Sequence, residues 1–218
     1  MGVKDYNTSM DSQQGYILVV DDVPDILELL DTTLKFKGYH AVTARNGQEA
    51  LEIIQRKHPA LLIADILMPT MDGFSLVHRL RLDPTTRDIP VIFLSATYVT
   101  PEDKDFALTI GVTRFIEKPV DLESFLPMIS DFLAQGDASV TEPLNELEFY
   151  RGYHKRLEAK LKQKDLQIVR DEHLLESIPE TERPAFEASL HQTIHERDEL
   201  QNLLEQIRQR LEEKPKTE

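Results

Sequence analysis

The sequence predicts an α/β chain, a five-stranded parallel sheet doubly wound by helices, followed by an all-helical tail. Three observations carry that reading. Short apolar runs recur, each of buried-strand length. Amphipathic segments of helical period separate them, which is the alternation that places helices on both faces of a parallel sheet with right-handed crossovers. From about residue 144 the strand pattern stops, and apolar residues recur at heptad spacing instead.

The elements follow in order. Strands are expected at Tyr16–Val20, His40–Ala44, Ala60–Ala64, Val91–Leu94 and Thr113–Ile116. Helices are expected at Pro24–Lys37, Gly47–Lys57, Phe74–Leu82, Pro101–Thr109 and Asp121–Ala134. Thr100 can cap a helix that has Pro101 at its first position and Asp103 in its first turn. Gly38, Gly73 and Gly111 fall at turns or helix ends, where a positive φ is cheap for glycine. The expected division is a disordered lead over 1–15, the α/β domain over 16–134, a linker over 135–143, paired helices over 144–213 and a disordered end over 214–218.

Composition narrows the function. The formal net charge is −14, and both halves of the chain are acidic, which disfavours nucleic acid and anionic membrane as partners. There is no cysteine, so disulfides, thiolate catalysis and cysteine-ligated zinc are excluded. Met1–Gln14 is polar, without the apolar stretch of a signal peptide, and no run reaches membrane-span length. A cytoplasmic chain is expected.

The chemistry sits where apolar runs end. Asp21-Asp22 closes the first strand, Asp65 the third, Ser95 the fourth and Lys118-Pro119 the fifth. Ligands of parallel α/β sheets bind outside the carboxyl ends of the strands, so these side chains meet in one cleft. Asp21, Asp22 and Asp65 would offer magnesium, a hard cation, oxygen ligands. Asp65 is the natural nucleophile, since a carboxylate can form an aspartyl-phosphate. Lys118 and Ser95 would pair with phosphoryl oxygens. Each residue alone also reads as ordinary strand-end polarity; it is the set, in this order, that points to phosphoryl chemistry.

Val19-Val20-Asp21-Asp22, Asp65-Ile66-Leu67-Met68-Pro69-Thr70-Met71-Asp72-Gly73, Ser95-Ala96 and Lys118-Pro119 resemble the receiver domain of two-component response regulators. The resemblance implies a flavodoxin-like fold with strand order 2-1-3-4-5 and Asp65 as phosphoacceptor. It also implies a sensor histidine kinase or phosphotransfer protein as the phosphohistidine donor. Asp21, Asp22, Asp65 and the Leu67 carbonyl would hold magnesium. Phe115 sits where the family has an aromatic that turns inward on phosphorylation, coupled to Ser95. The stretch around Tyr98–Thr100 is about one residue longer than the family pattern, and Leu67 and Thr97 occupy positions that tune phosphoryl lifetime.

The tail predicts two helices. Leu147, Tyr150, His154, Leu157, Leu161, Ile168 and Leu175 form one heptad seam, interrupted by Lys164 and Asp171. Ser177–Pro184 breaks it with two prolines. Leu190, Thr193, Arg197, Leu200, Leu204, Ile207 and Leu211 form the second seam. The helices could fold back as a hairpin or extend as a parallel coil, and a homodimeric four-helix bundle would cover the seams best. The tail is acidic and lacks a basic recognition helix, so a DNA-binding output is not expected. Phosphorylation would then switch association or partner binding. Two other readings stand beside this one. Either a tail histidine (His154, His173, His191 or His195) is a phosphotransfer site, making the chain its own relay, or the receiver only binds. His191 and His195, one helical turn apart, are also a possible metal pair.

Overall fold

In the computed structural model of the chain, residues 15–95, 101–135, 142–177 and 179–213 are described. Residues 1–14 of the expected lead over 1–15, Thr97, the Tyr98–Thr100 insertion with its Thr100 cap, most of the linker and the end at 214–218 lie outside them. The described residues fall into two compact units, which meet in the chain at Leu144 and Asn145.

The first unit alternates strand and helix throughout. It runs β1 (Ile17–Val20), α1 (Pro24–Phe36), β2 (Ala41–Ala44), α2 (Gly47–Arg56), β3 (Leu61–Asp65), α3 (Gly73–Leu82), β4 (Val91–Ser95), α4 (Pro101–Thr109), β5 (Arg114–Glu117) and α5 (Leu122–Gln135). All strand pairs are parallel, in the order β2-β1-β3-β4-β5. This is the doubly wound, flavodoxin-like order that the resemblance implies. The central strands β1, β3 and β4 are buried at every position, as a sheet covered on both faces requires.

Alternation along the strands divides the core in two. Ile17, Val19, Ile63, Ile92 and Leu94 pack with Leu27, Leu30 and Leu34 of α1 and Phe125 and Ile129 of α5. On β4, Phe93 points the other way and meets Phe74 of α3 edge-on at 5.3 Å. Phe74 also packs on Phe106 of α4 at 5.4 Å. The helix starts are fixed chemically. Asn46 Oδ1 accepts the Glu49 N–H, while Glu49 Oε2 accepts the Arg45 N–H, a reciprocal cap on α2. Asp72 Oδ1 accepts the Ser75 N–H at the start of α3. Gly38 and Gly111 do have positive φ, +87° and +90°. The Arg81 guanidinium, buried on α3, donates to the Gly111 carbonyl at 2.7 Å and so fixes the turn that feeds β5. Burial lowers its pKa to about 10, so it is charged at neutral pH.

The second unit is a helical hairpin of α6 (Glu146–Ser177) and α7 (Arg183–Glu212). Cross-helix pairs show that the helices run antiparallel. Lys164 Nζ meets Glu196 Oε2 at 2.6 Å, and Arg208 Nε donates to His154 Nε2 at 3.2 Å. Pro184 falls in the first turn of α7, where proline costs no hydrogen bond. The α7 seam is the predicted one, with Leu190, Thr193, Leu200, Leu204 and Ile207 buried. The start of the α6 seam differs. Leu147 is exposed, and Phe149 and Tyr153 are buried in its place, ahead of Leu157. A strict heptad count favoured the leucine, whereas the aromatic rings bury more area and follow an i, i+4 row. Lys164 is buried by its pairing with Glu196 rather than left as a solvated interruption.

Candidate functional site

Sheet register places the site. Val20 pairs with Ala64, so Asp21 follows β1 at the level of Asp65. Asp65 pairs with Leu94, and Ser95 with Glu117, which brings Ser95 and Lys118 just beyond. Lys118 N–H donates to the Ser95 carbonyl at 2.8 Å, and the Lys118–Pro119 peptide is cis.

Lys118 Nζ lies 2.6 Å from both Asp21 Oδ2 and Asp65 Oδ1. The free carboxylate oxygens are also engaged. Asp21 Oδ1 accepts the Val23 N–H at 3.0 Å, and Asp65 Oδ2 accepts the Leu67 N–H at 2.9 Å. Asp21, Asp65 and Ser95 are buried, whereas Asp22 is exposed at the mouth. Phe115 is half-buried on β5, edge-on to Phe93 at 6.3 Å.

One ammonium serves two buried carboxylates, and the charges do not balance. Burial pushes the Asp65 pKa up to about 6, with Lys118 opposing the rise and Asp21 adding to it. Burial also raises Asp22, and Asp21 raises it further. Lys118 moves up in spite of burial, because two carboxylates outweigh its desolvation. Among the described residues no three acidic or histidine side chains converge as a ready-made metal cluster, and Lys118 takes the place between two of the candidates. The excess of carboxylate oxygens over cationic charge nonetheless fits a hard divalent ion such as magnesium.

The loop after Asp65 is held by close approach. A Cβ on Gly73 would lie 2.4 Å from the Asp65 carbonyl oxygen and 3.1 Å from Ile66 Cα. Glycine is therefore required there by backbone proximity and not by the positive φ expected from sequence. Gly47 N–H donates to the Met71 carbonyl at 3.0 Å, and Thr70 takes φ 68°. Gly73→Ala is expected to destabilise the first unit by about 1–3 kcal/mol and displace Asp65, since backbone must yield. Urea denaturation, with the Asp65 amide shift as the local probe, would expose the error if neither moved.

Of the tail histidines, His154 accepts from Arg208 with Glu158 at 3.5 Å, and His195 lies 3.5 Å from Glu199.

Residues 17–130 match the model of the response regulator receiver domain. The chain is 40% identical over 116 residues to "Uncharacterized 14.6 kDa protein in sodA1 3'region" of Leptolyngbya boryana, covering 53% of this chain and 88% of that one. It is 35% identical over 132 residues to "Probable transcriptional regulator ycf27" of Porphyra purpurea, covering 61% of this chain. It spans about half of that relative's length, 53%. Among solved structures, the signal receiver domain of a signal transduction histidine kinase from Syntrophus aciditrophicus superposes with a TM-score of 0.52 at 35% identity, over 60% of this chain and 97% of that one. With the fold, the strand-end residues and the family match in agreement, the chain belongs to the response regulator receiver domain family.

Proposed function

We propose that Asp65 accepts a phosphoryl group from a phosphohistidine on a sensor histidine kinase or phosphotransfer protein. The N–P bond of the donor breaks, an O–P bond forms at Asp65, and the imidazole leaves. The observation that carries this reading is the 2.6 Å contact of Lys118 Nζ with both Asp21 and Asp65 at the carboxyl edge of the sheet. An ammonium already shared between two carboxylates can turn to a phosphoryl oxygen while keeping Asp21. Ser95, buried at the end of β4, would offer its hydroxyl to another oxygen. Asp21, Asp22, Asp65 and the Leu67 carbonyl would hold magnesium, which when bound supplies the positive charge that neutralises the transferring group. Phe115 would turn inward as Ser95 moves toward the phosphoryl group.

The tail hairpin serves as the output, through a homodimer or a protein partner rather than nucleic acid or membrane. Its support is the net charge of −14 and the absence, among the described residues, of a helix long and apolar enough to cross a membrane. A cytoplasmic place fits that partner set.

Acetyl phosphate with magnesium is expected to give one acid-stable, base-labile phosphate per chain, read by intact mass, and Asp65→Asn is expected to give none. Label persisting in Asp65→Asn and lost in acid would move the acceptor to a tail histidine. Light scattering of the full chain with and without beryllofluoride tests the output: a monomer in both states would remove dimerisation from it.

A further inference from the structure

His78 of α3 is 4% exposed. Phe74, Leu76, Val77, Leu80 and Arg81 are buried along one wide arc of α3, and His78 lies at its margin. Its Nε2 is 3.1 Å from the Leu144 carbonyl, across a sequence separation of 66. A carbonyl only accepts, so Nε2 carries the hydrogen. This bond ties the last residue of the receiver unit to α3.

The next residue begins the tail. Asn145 is the cap of α6: its Oδ1 accepts the Glu148 N–H at 2.9 Å and its carbonyl accepts the Phe149 N–H at 3.0 Å. No slack residue separates the tied carbonyl from the first turn of α6. At its other end α3 starts against the phosphoacceptor. Gly73 N–H donates to the Ile66 carbonyl at 2.8 Å, and the Gly73 Cα packs so closely on the Asp65 carbonyl that no Cβ fits. One helix of 10 residues thus carries the Asp65 loop at its start and the anchor of Leu144 within its length.

We infer that α3 is the lever through which the state of Asp65 reaches the tail, and that His78 is the positioning residue that clamps Leu144 to it. The inference rests on Asp65 being the phosphoacceptor. A helix shift of about 1–2 Å is enough to bias a packed element, and Leu144 hands that shift to Asn145 through the single peptide bond that joins them.

Hydrogen exchange on the full chain, with magnesium and with or without beryllofluoride, tests this. The amides of Glu148–Tyr153 are expected to change their exchange rate with the mimic. His78→Phe, which keeps an aromatic ring but has no donor, is expected to shrink that change roughly fivefold, the weight of one hydrogen bond. His78→Gln, which can still donate, is expected to retain it. Two glycines inserted between Leu144 and Asn145 leave the receiver intact, guard against a misfolded His78→Phe, and are expected to abolish the change. A tail response unaltered in His78→Phe and in the insertion would overturn the lever, as would a tail that ignores the mimic while the Asp65 loop responds. If the Asp65–Gly73 amides do not respond either, the phosphoacceptor reading itself fails and the lever falls with it.

Discussion

Lys118→Met is expected to cost the receiver unit about 3–5 kcal/mol at neutral pH in the absence of magnesium, because it strands buried carboxylates. Asp21 is 1% exposed at its side chain and Asp65 11%, and both lose their cation at once. Methionine preserves the apolar stem, so packing accounts for little of the loss. Lys118 has its pKa raised, so its pairing is intact below the ordinary lysine range and fades only as pH rises through the folded value. The deficit in the variant should therefore persist across neutral pH and shrink on acidification, where Asp65 takes up a proton. Magnesium should restore part of the loss by binding the folded state alone. Urea midpoints at pH 7.5 and 5, with chelator or with magnesium, give the answer. Equal stability of variant and parent at pH 7.5 in chelator would show that the carboxylates do not depend on Lys118.

Much of this arrangement is legible in the sequence because strand ends are legible. A parallel sheet converts position along each strand into depth in one cleft, so Asp21, Asp65, Ser95 and Lys118 converge once the runs are aligned. Features set by tertiary approach were less legible. Gly73 reads as a turn glycine, yet what excludes a side chain there is the Asp65 carbonyl. Arg81 and His78 fall within the helix expected at Phe74–Leu82, and both are buried where later segments, the Gly111 turn and Leu144, meet them through hydrogen bonds. No local pattern announces that. The α7 seam is readable since aliphatic residues fill most of it, whereas on α6 a heptad template passes over Phe149 and Tyr153. The direction of the tail helices was open for a similar reason. Apolar spacing is the same for parallel and antiparallel pairs, and only cross-helix polar contacts such as Lys164 with Glu196 and Arg208 with His154 decide it.

Asp65→Asn is expected to act in the opposite direction to Lys118→Met and stabilise the metal-free receiver at neutral pH. Burial, with the neighbouring Asp21 charge, lifts the Asp65 pKa from 3.8 to about 6 in the folded chain. Between those values the folded state holds a proton that the unfolded chain has released. The charged carboxylate therefore costs stability in full above about 6; the cost is relieved as pH falls through that value toward 3.8, and below 3.8 it is gone. Asparagine carries no charge and keeps an oxygen for the Leu67 N–H. The variant should exceed its parent by about 1–3 kcal/mol at pH 8 and match it near pH 4, the shift converted at about 1.4 kcal/mol per pH unit. Urea denaturation in chelator at pH 8, 6 and 4 reads the gap directly. A gap that does not change with pH would mean that Asp65 titrates as an ordinary carboxylate. The same substitution is the one expected to abolish phosphate uptake, so the acidity that makes Asp65 useful is also what weakens the resting fold. A double-mutant cycle joins the two variants. With Asp65 neutral, Lys118 has one carboxylate left to serve, and Lys118→Met should cost less in the Asp65→Asn background than in the parent.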